Sequence, residues 1–501
     1  MSPPDPVSPA DVLPPRRLDP RTIVVRALRG SPSLILGVPA ILAWSRGEGT
    51  SVGFLAAGAA LLLLVLVVSS WLRWRAFTYQ VLPGQLVIAH GLIRRTRRSI
   101  PAERIQDVSI TQGPLSRLIG LAEVRVETGG GEADEGRLNS VSLSEAHRLR
   151  EVLRSIRTTG GVIEAGAPEA AEVGDTLFRM GLPRLLFSGL FNFSLVWIAA
   201  IFGALQYLDQ ALGYDRDMWL DLFGVAEREL QSRLNPTVVL GVAGLAIALG
   251  LLAGVVRTVL RDYGFTLTHA DGRFRYRRGL LTRTEVVVAK RQIQLGLVER
   301  GTVSGRLGWR AFKVQTLGGG DQASGRQELA PFARAAELDP LIALAGLPPF
   351  EPAGLRPVAR GHAFSGLAGT ALMSAVILVA AAIFFPPAAL LLLAMPLPLA
   401  VALLRPERHR YALAETSVQV RRGVLTRRDW TVPYANVQTI TVRRGPLQRW
   451  LGLATVRIDT AGGRGMNGPH IHDVAPAQAA AFVGDLIARV AMTGSRPSTG
   501  A

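Results

Sequence analysis

The chain has 501 residues; 49% are hydrophobic and only 19% charged, yet 56 Lys+Arg against 38 Asp+Glu leave a net charge of +18. The absence of cysteine excludes disulfides, thiolate metal sites and a cysteine nucleophile. A mean hydropathy of +0.27 argues against a purely water-solvated chain, and apolar plus basic composition points to membrane spans with basic flanks.

In chain order, residues 1–30 are rich in Pro and Arg and lack an apolar core with a cleavage site, so they are expected as a disordered cytoplasmic tail rather than a secretory signal. Six uncharged apolar runs follow: Ser31–Ser45, Val52–Trp71, Leu185–Leu208, Pro236–Val256, Ala363–Phe385 and Pro386–Leu404. Crossing a hydrocarbon core takes roughly 20 residues of helix, which predicts six transmembrane helices paired as hairpins over 31–73, 183–258 and 363–405. Each hairpin precedes a small β-rich domain, at 74–158, 259–347 and 406–492. Linkers are expected over 159–182 and 348–362, and a tail over 493–501.

Orientation follows from basic residues near span ends. The hairpin loops hold only Arg46, Arg216, Arg228 and Arg233, while the opposite ends carry many more, among them Arg73, Arg75, Arg257, Arg261, Arg405 and Arg408. Both termini and every large domain are therefore expected in the cytoplasm, with the chain multipass in the membrane.

The three domains are copies of one unit. Gly91-Leu92, Ile105-Gln106, Gly113-Pro114-Leu115, Gly120-Leu121 and Val124-Arg125-Val126-Glu127-Thr128 recur without a gap as Gly423-Val424, Val437-Gln438, Gly445-Pro446-Leu447, Gly452-Leu453 and Val456-Arg457-Ile458-Asp459-Thr460. The middle copy keeps Gly279-Leu280, Ile293-Gln294, Gly301 and Gly308 at the same spacing, without the Pro. Alternation in Ser417–Arg421, Asp429–Val432 and Ala454–Thr460 predicts strands, with Gly423 turning the chain between the first two. Helical segments at Ser142–Ile156, Pro331–Ala345 and Pro476–Val490 close the units. The fold class expected is thus α+β multipass: a small β-barrel with a C-terminal helix after each hairpin.

These landmarks, matched over Tyr79–Gly129, Tyr263–Thr316 and Tyr411–Gly462, resemble the bacterial membrane-flanked, pleckstrin-homology-like (PH-like) domains of YdbT-like type. The resemblance implies a PH-like barrel at a membrane, and no catalytic residues.

Candidate binding residues are the arginines about the glycine hairpin: Arg94, Arg95, Arg97 and Arg98; Arg277, Arg278 and Arg283; Arg421, Arg422, Arg427 and Arg428. Guanidinium forks bind lipid phosphate or acidic protein surfaces bidentately; the competing reading is a solvated basic face. In the Gly-Pro-Leu landmark, Pro is expected to preset a turn and Leu to plug the barrel end. His470 and His472 lack cysteine support as metal ligands, and the triple glycines at Gly129 and Gly318 lack the following Lys-Ser/Thr of a phosphate loop. No cofactor, metal or catalytic set is expected, and nucleic acid is not an expected partner because few aromatics interleave the arginines. The function expected is a non-enzymatic scaffold presenting three cytoplasmic PH-like domains to headgroups or partner proteins, another membrane protein among them. The alternative is a transporter or lipid-handling protein built on the helices.

Overall fold

The computed structural model describes residues 15–29, 52–82, 84–91, 95–128, 136–158, 174–192, 236–317, 326–367, 371, 374–375, 396–461 and 468–494. The first repeat runs β1 (Arg16–Arg17), α1 (Thr22–Arg29), α2 (Val52–Arg75), β2 (Thr78–Leu82), β3 (Gln85–His90), β4 (Thr96–Pro101), β5 (Ile105–Gln112), α3 (Pro114–Leu118), β6 (Leu121–Thr128), β7 (Arg137–Ser142) and α4 (Leu143–Thr158). The second runs β8 (Asp175–Arg179), α5 (Leu182–Leu190), α6 (Pro236–Asp262), β9 (Thr266–Ala270), β10 (Arg273–Arg278), β11 (Arg283–Ala289), β12 (Ile293–Gly301), α7 (Thr302–Arg306), β13 (Trp309–Thr316), β14 (Arg326–Arg334) and α8 (Ala335–Leu344). The third runs β15 (Arg356–Pro357), α9 (Pro396–Arg408), β16 (Arg410–Leu413), β17 (Ser417–Arg422), β18 (Thr426–Pro433), β19 (Val437–Arg443), α10 (Pro446–Trp450), β20 (Ala454–Thr460), β21 (His470–Val474) and α11 (Pro476–Gly494).

Each repeat is therefore four strands, then three strands, then a helix. Its two groups of strands face one another across a core. In the first repeat Tyr79, Val81, Leu86 and Ile88 meet Val108, Ile110, Val124 and Leu138, and Ala146, Leu149 and Leu153 of α4 close the end. The turn glycines follow from the backbone. Gly91, Gly279 and Gly423 all lie at φ near +110°, where a side chain is strained. A Cβ on Gly279 would also collide with the Thr282 carbonyl.

The expected six transmembrane helices are corrected by the structure. Among the described residues no helix is long and apolar enough to cross a membrane. Two apolar runs are helical within α2 and α6, but α5 keeps nine residues and α9 thirteen, the last four including Arg405, Glu407 and Arg408. Ser31–Ser45, residues 193–208 and 376–395 lie outside the described residues. The physical reason is that an uncharged run does not by itself separate a span from a helix packed on another helix. Here α5 and α6 pack closely: a Cβ on Gly189 would press on Val255, and one on Gly254 would meet the Gly189 carbonyl. Asn192 Nδ2 donates to Thr258 Oγ1 at 3.0 Å across the same contact.

The expected tail and linkers are also corrected. Each contains the opening strand of a repeat: β1 pairs with β2, β8 with β9 and β15 with β16. A buried apolar residue beside each strand, Leu18, Met180 or Val358, anchors it to the core. Trp74 Nε1 adds a hydrogen bond to Leu18 O at 2.8 Å. The apolar segments are thus inserted between the first and second strands of a repeat, rather than placed before it.

The sheets do not stop at repeat boundaries. Among the described residues four sheets run β1-β2-β3-β4, β7-β6-β5-β11-β10-β9-β8, β14-β13-β12-β18-β17-β16-β15 and β19-β20-β21. The last three strands of one repeat thus fuse with the first four of the next, twice. Leu295 and Leu297 of β12 consequently belong to the third core, not the second. Both fusions share one register: Glu285 pairs with Ile110, and Asp429 with Val298, each acid lying six positions after its turn glycine and each partner nineteen after its own.

Candidate functional site

The arginines singled out by sequence divide by where their strands lie. Those of the second and third repeats stand at the two fused junctions, among carboxylates. At the first junction Glu285 of β11 accepts from Arg150 of α4 at 2.6 Å, with Arg277 at 3.4 Å and Arg275 at 3.8 Å. Burial disfavours its charge, but Arg150 and Arg277 hold the carboxyl below its ordinary range. Arg278 is buried between Asp262 at 3.3 Å and Glu328 at 3.1 Å. Arg283, the residue opposite Gln112, is pushed below its ordinary value by burial and by Arg277.

At the second junction the arrangement is denser. The fully buried Asp429 takes a bidentate pair from Arg421, at 2.7 and 3.2 Å, with Arg300 at 3.3 Å and Arg427 at 3.5 Å. Arg428 donates to Glu299 at 2.9 Å, and Lys313 reaches the same Glu299 at 2.7 Å. Arg422 lies over the Trp430 ring at 5.1 Å and contacts His472 Nε2 at 2.9 Å. Burial and the neighbouring Arg428 push Arg422 down to about 10. A guanidinium held bidentately by a buried carboxylate has its fork occupied: Arg421 is tied within its own repeat, while Arg300 to Asp429 and Arg428 to Glu299 clamp the second repeat to the third.

The first repeat differs. Arg95 and Arg97 are exposed and Arg98 half-buried at β4, the edge of the first sheet; Arg94 lies outside the described residues. Among the described residues β4 pairs only with β3. The equivalent opposite end is β19, paired only with β20 among the described residues, with Arg443, Arg444 and Arg449 beside it. In the sequence these three form a second arginine cluster, flanking the Gly-Pro-Leu turn as Arg117 does in the first repeat and Arg306 and Arg310 do in the second, and Arg444 and Arg300 fall at the same position of their repeats.

Gly-Pro-Leu builds the short helices α3 and α10, with Pro114 and Pro446 in the first turn, where proline's fixed φ fits. The leucines do not plug the barrel: Leu115 and Leu447 are exposed. The triple glycines, at 129–131 and 318–320, lie outside the described residues.

His470 and His472 sit on β21 in a run of four imidazoles, His362, His409, His472 and His470, with successive ring centroids 5.3, 5.8 and 5.9 Å apart. Burial, with the charge of Arg422, pushes His470 and His472 to about 4. Asp473 is buried, but hydrogen bonds from His362, Ser365 and Gln448 hold it at about 2. Among the described residues no group of three or more His, Asp and Glu is arranged to hold a metal ion.

The repeat landmarks anticipated three copies of one strand-rich unit closed by a helix; the expected separate barrels are corrected, because the strands divide four plus three and the sheets are shared between repeats. The family model for the bacterial PH domain matches residues 33–157, 218–344 and 365–490. The chain belongs to the bacterial PH domain family. It is similar to a protein of Bacillus subtilis (strain 168), the UPF0699 transmembrane protein YdbT, with 26% identity over 272 residues, or 52% of this chain and 54% of that one. The chain thus spans about half the length of that curated relative. No solved structure matches.

Proposed function

We propose that this chain is a non-enzymatic, membrane-associated scaffold whose three PH repeats are zipped into one array, with basic edges turned outward to anionic headgroups or acidic protein surfaces. The reading of membrane association rests on α2. Its Leu61, Leu63, Leu64, Val65, Val67, Val68 and Trp71 are all exposed, and a helix apolar on every side calls for apolar surroundings. On α6, Leu245, Ile247, Leu249 and Leu252 are exposed in the same way. The similarity to a protein named as transmembrane supports the same reading.

Headgroup contact is favoured at Arg95 and Arg97, exposed at the first edge; the counterpart of Arg97, Glu285, is buried at a junction. A basic residue near an anionic surface contributes about 1 kcal/mol. Vesicle flotation of the full chain tests both parts. Flotation with zwitterionic vesicles is expected through the apolar helices. Anionic phosphatidylglycerol is expected to strengthen it, and Arg95→Glu with Arg97→Glu to weaken that gain by at least tenfold. No flotation on any vesicle would contradict membrane association; an anionic gain untouched by the two substitutions would remove these arginines from the site.

A further inference from the structure

The third repeat ends as the first and second do, yet among the described residues the free side of β19 pairs with no strand. Where β5 and β12 meet the next repeat, the residue nineteen positions after the turn glycine is buried: Ile110 is 4% exposed and Val298 9%. Its counterpart on β19, Val442, is 47% exposed. The short helix behind the strand repeats the contrast. Arg117 of α3 donates to Leu280 O of the next repeat's turn at 2.6 Å, and Thr302 of α7 donates to Leu425 O. In α10, by contrast, Arg449 turns back to Arg444 O at 3.3 Å, and Trp450 is 83% exposed. An unpaired edge strand flanked by exposed apolar side chains is a template for strand addition.

Charge selects the occupant. Both internal junctions seat a carboxylate opposite the Ile110 or Val298 position, Glu285 in one and Asp429 in the other. Asp429 there meets Arg300, whose counterpart at the open end is Arg444. A second copy of this chain would bring β4 instead, and its residue at the carboxylate position is Arg97. In the shared register Arg97 would face Val442, beside Arg443 and Arg444, and β4 has no acidic residue to offset them. Like charges across a strand pair are destabilising, so the edges disfavour self-addition.

We propose that β19 with α10 is a docking edge for another protein, one that adds an antiparallel edge strand carrying an Asp or Glu opposite Val442. The proposal rests on the scaffold reading and names the partner chemistry of one of its edges. In the complex the incoming carboxylate takes the place of Asp429, Arg444 that of Arg300, and Arg449 that of Arg117 on the incoming turn.

The probe is a cyclised hairpin peptide of residues 417–433, which carries Asp429 and ends as β17 and β18 do. Binding of the labelled peptide to the full chain is read by anisotropy. Wild-type chain is expected to bind it, Arg443→Glu with Arg444→Glu to weaken binding at least tenfold, and the peptide with Asp429→Arg to bind at least tenfold more weakly. Because the chain lacks cysteine, Ile440→Cys supplies a single thiol, expected to form a disulfide with a peptide that keeps Asp429 and bears Cys in place of Thr431, the residue the shared register sets opposite it. Binding indifferent to the edge substitutions, or no disulfide at position 440, would overturn the proposal. So would concentration-dependent self-assembly that joins Arg97→Cys of one copy to Val442→Cys of another. Vesicle flotation of the edge variants is expected to match wild type, so loss of the partner edge is distinguishable from loss of the membrane-associated scaffold.

Discussion

The same strand position reads Arg97 in the first repeat, Glu285 in the second and Asp429 in the third. Where the strand is enclosed by the preceding repeat, the residue is an acid surrounded by guanidinium groups; where it stands at an open edge, it is an exposed arginine. Burying a strand edge beside several arginines is tolerable only if a carboxylate neutralises them, because an uncompensated buried charge costs several kcal/mol. An edge left open is better served by a charge that repels other edges. The arginine clusters recur in all three repeats but are put to two uses, joining repeats inside the array and guarding or presenting its ends.

The comparison breaks most visibly at Asp429. Asp429→Ala leaves Arg300, Arg421 and Arg427 without their carboxylate, and is expected to destabilise the chain by about 3–5 kcal/mol, measured by denaturant unfolding. Glu285→Gln keeps the shape but removes the charge facing Arg150, and a loss of about 2 kcal/mol is expected. Glu285 is held below its ordinary value in the fold, so its contribution is present above the unfolded carboxylate value and is lost as pH falls through the folded one.

A pH-dependent effect is expected in the histidine run. His470 and His472 titrate near 4 in the fold against about 6.5 unfolded. The unfolded chain therefore binds more protons between these values, and stability of the third repeat is expected to fall as pH drops from 6.5 to 4, with no change above 7. Hydrogen exchange of β20 and β21 reads this directly, and His470→Gln with His472→Gln is expected to flatten it. At the far end of the scale, Arg97→Ala at the open edge is expected to alter stability by no more than about 0.5 kcal/mol. If Arg97→Ala matched Asp429→Ala in cost, the distinction between enclosed and open edges would fail.

Much of each repeat was legible in the sequence. β20 occupies Ala454–Thr460 as alternation predicted, β17 and β18 flank Gly423, and α4 and α11 lie within two residues of the expected start. Local period and turn chemistry fix such features. The last helix of the second repeat begins later, at Ala335, because Pro331–Arg334 continue β14. What was not legible is the pairing of β5 with β11 and of β12 with β18, between strands more than a hundred residues apart whose own patterns are satisfied by any antiparallel neighbour. For the same reason the arginine clusters were visible as clusters while their carboxylate partners were not. The apolar runs misled in the opposite direction, since freedom from charge describes α5 packed on α6 as well as it describes a span. The short strands β1, β8 and β15 lay hidden in segments read as tail and linker, because two to five residues carry too little pattern to separate a strand from a loop.

The central claim, that consecutive repeats are joined by a shared sheet, is tested most directly at Thr111 and Thr284, which face each other across the first junction. In a chain without cysteine, Thr111→Cys with Thr284→Cys is expected to form an intramolecular disulfide on mild oxidation, seen as a mobility shift that reductant reverses. Two free thiols that persist under the same oxidation in the folded chain would contradict it.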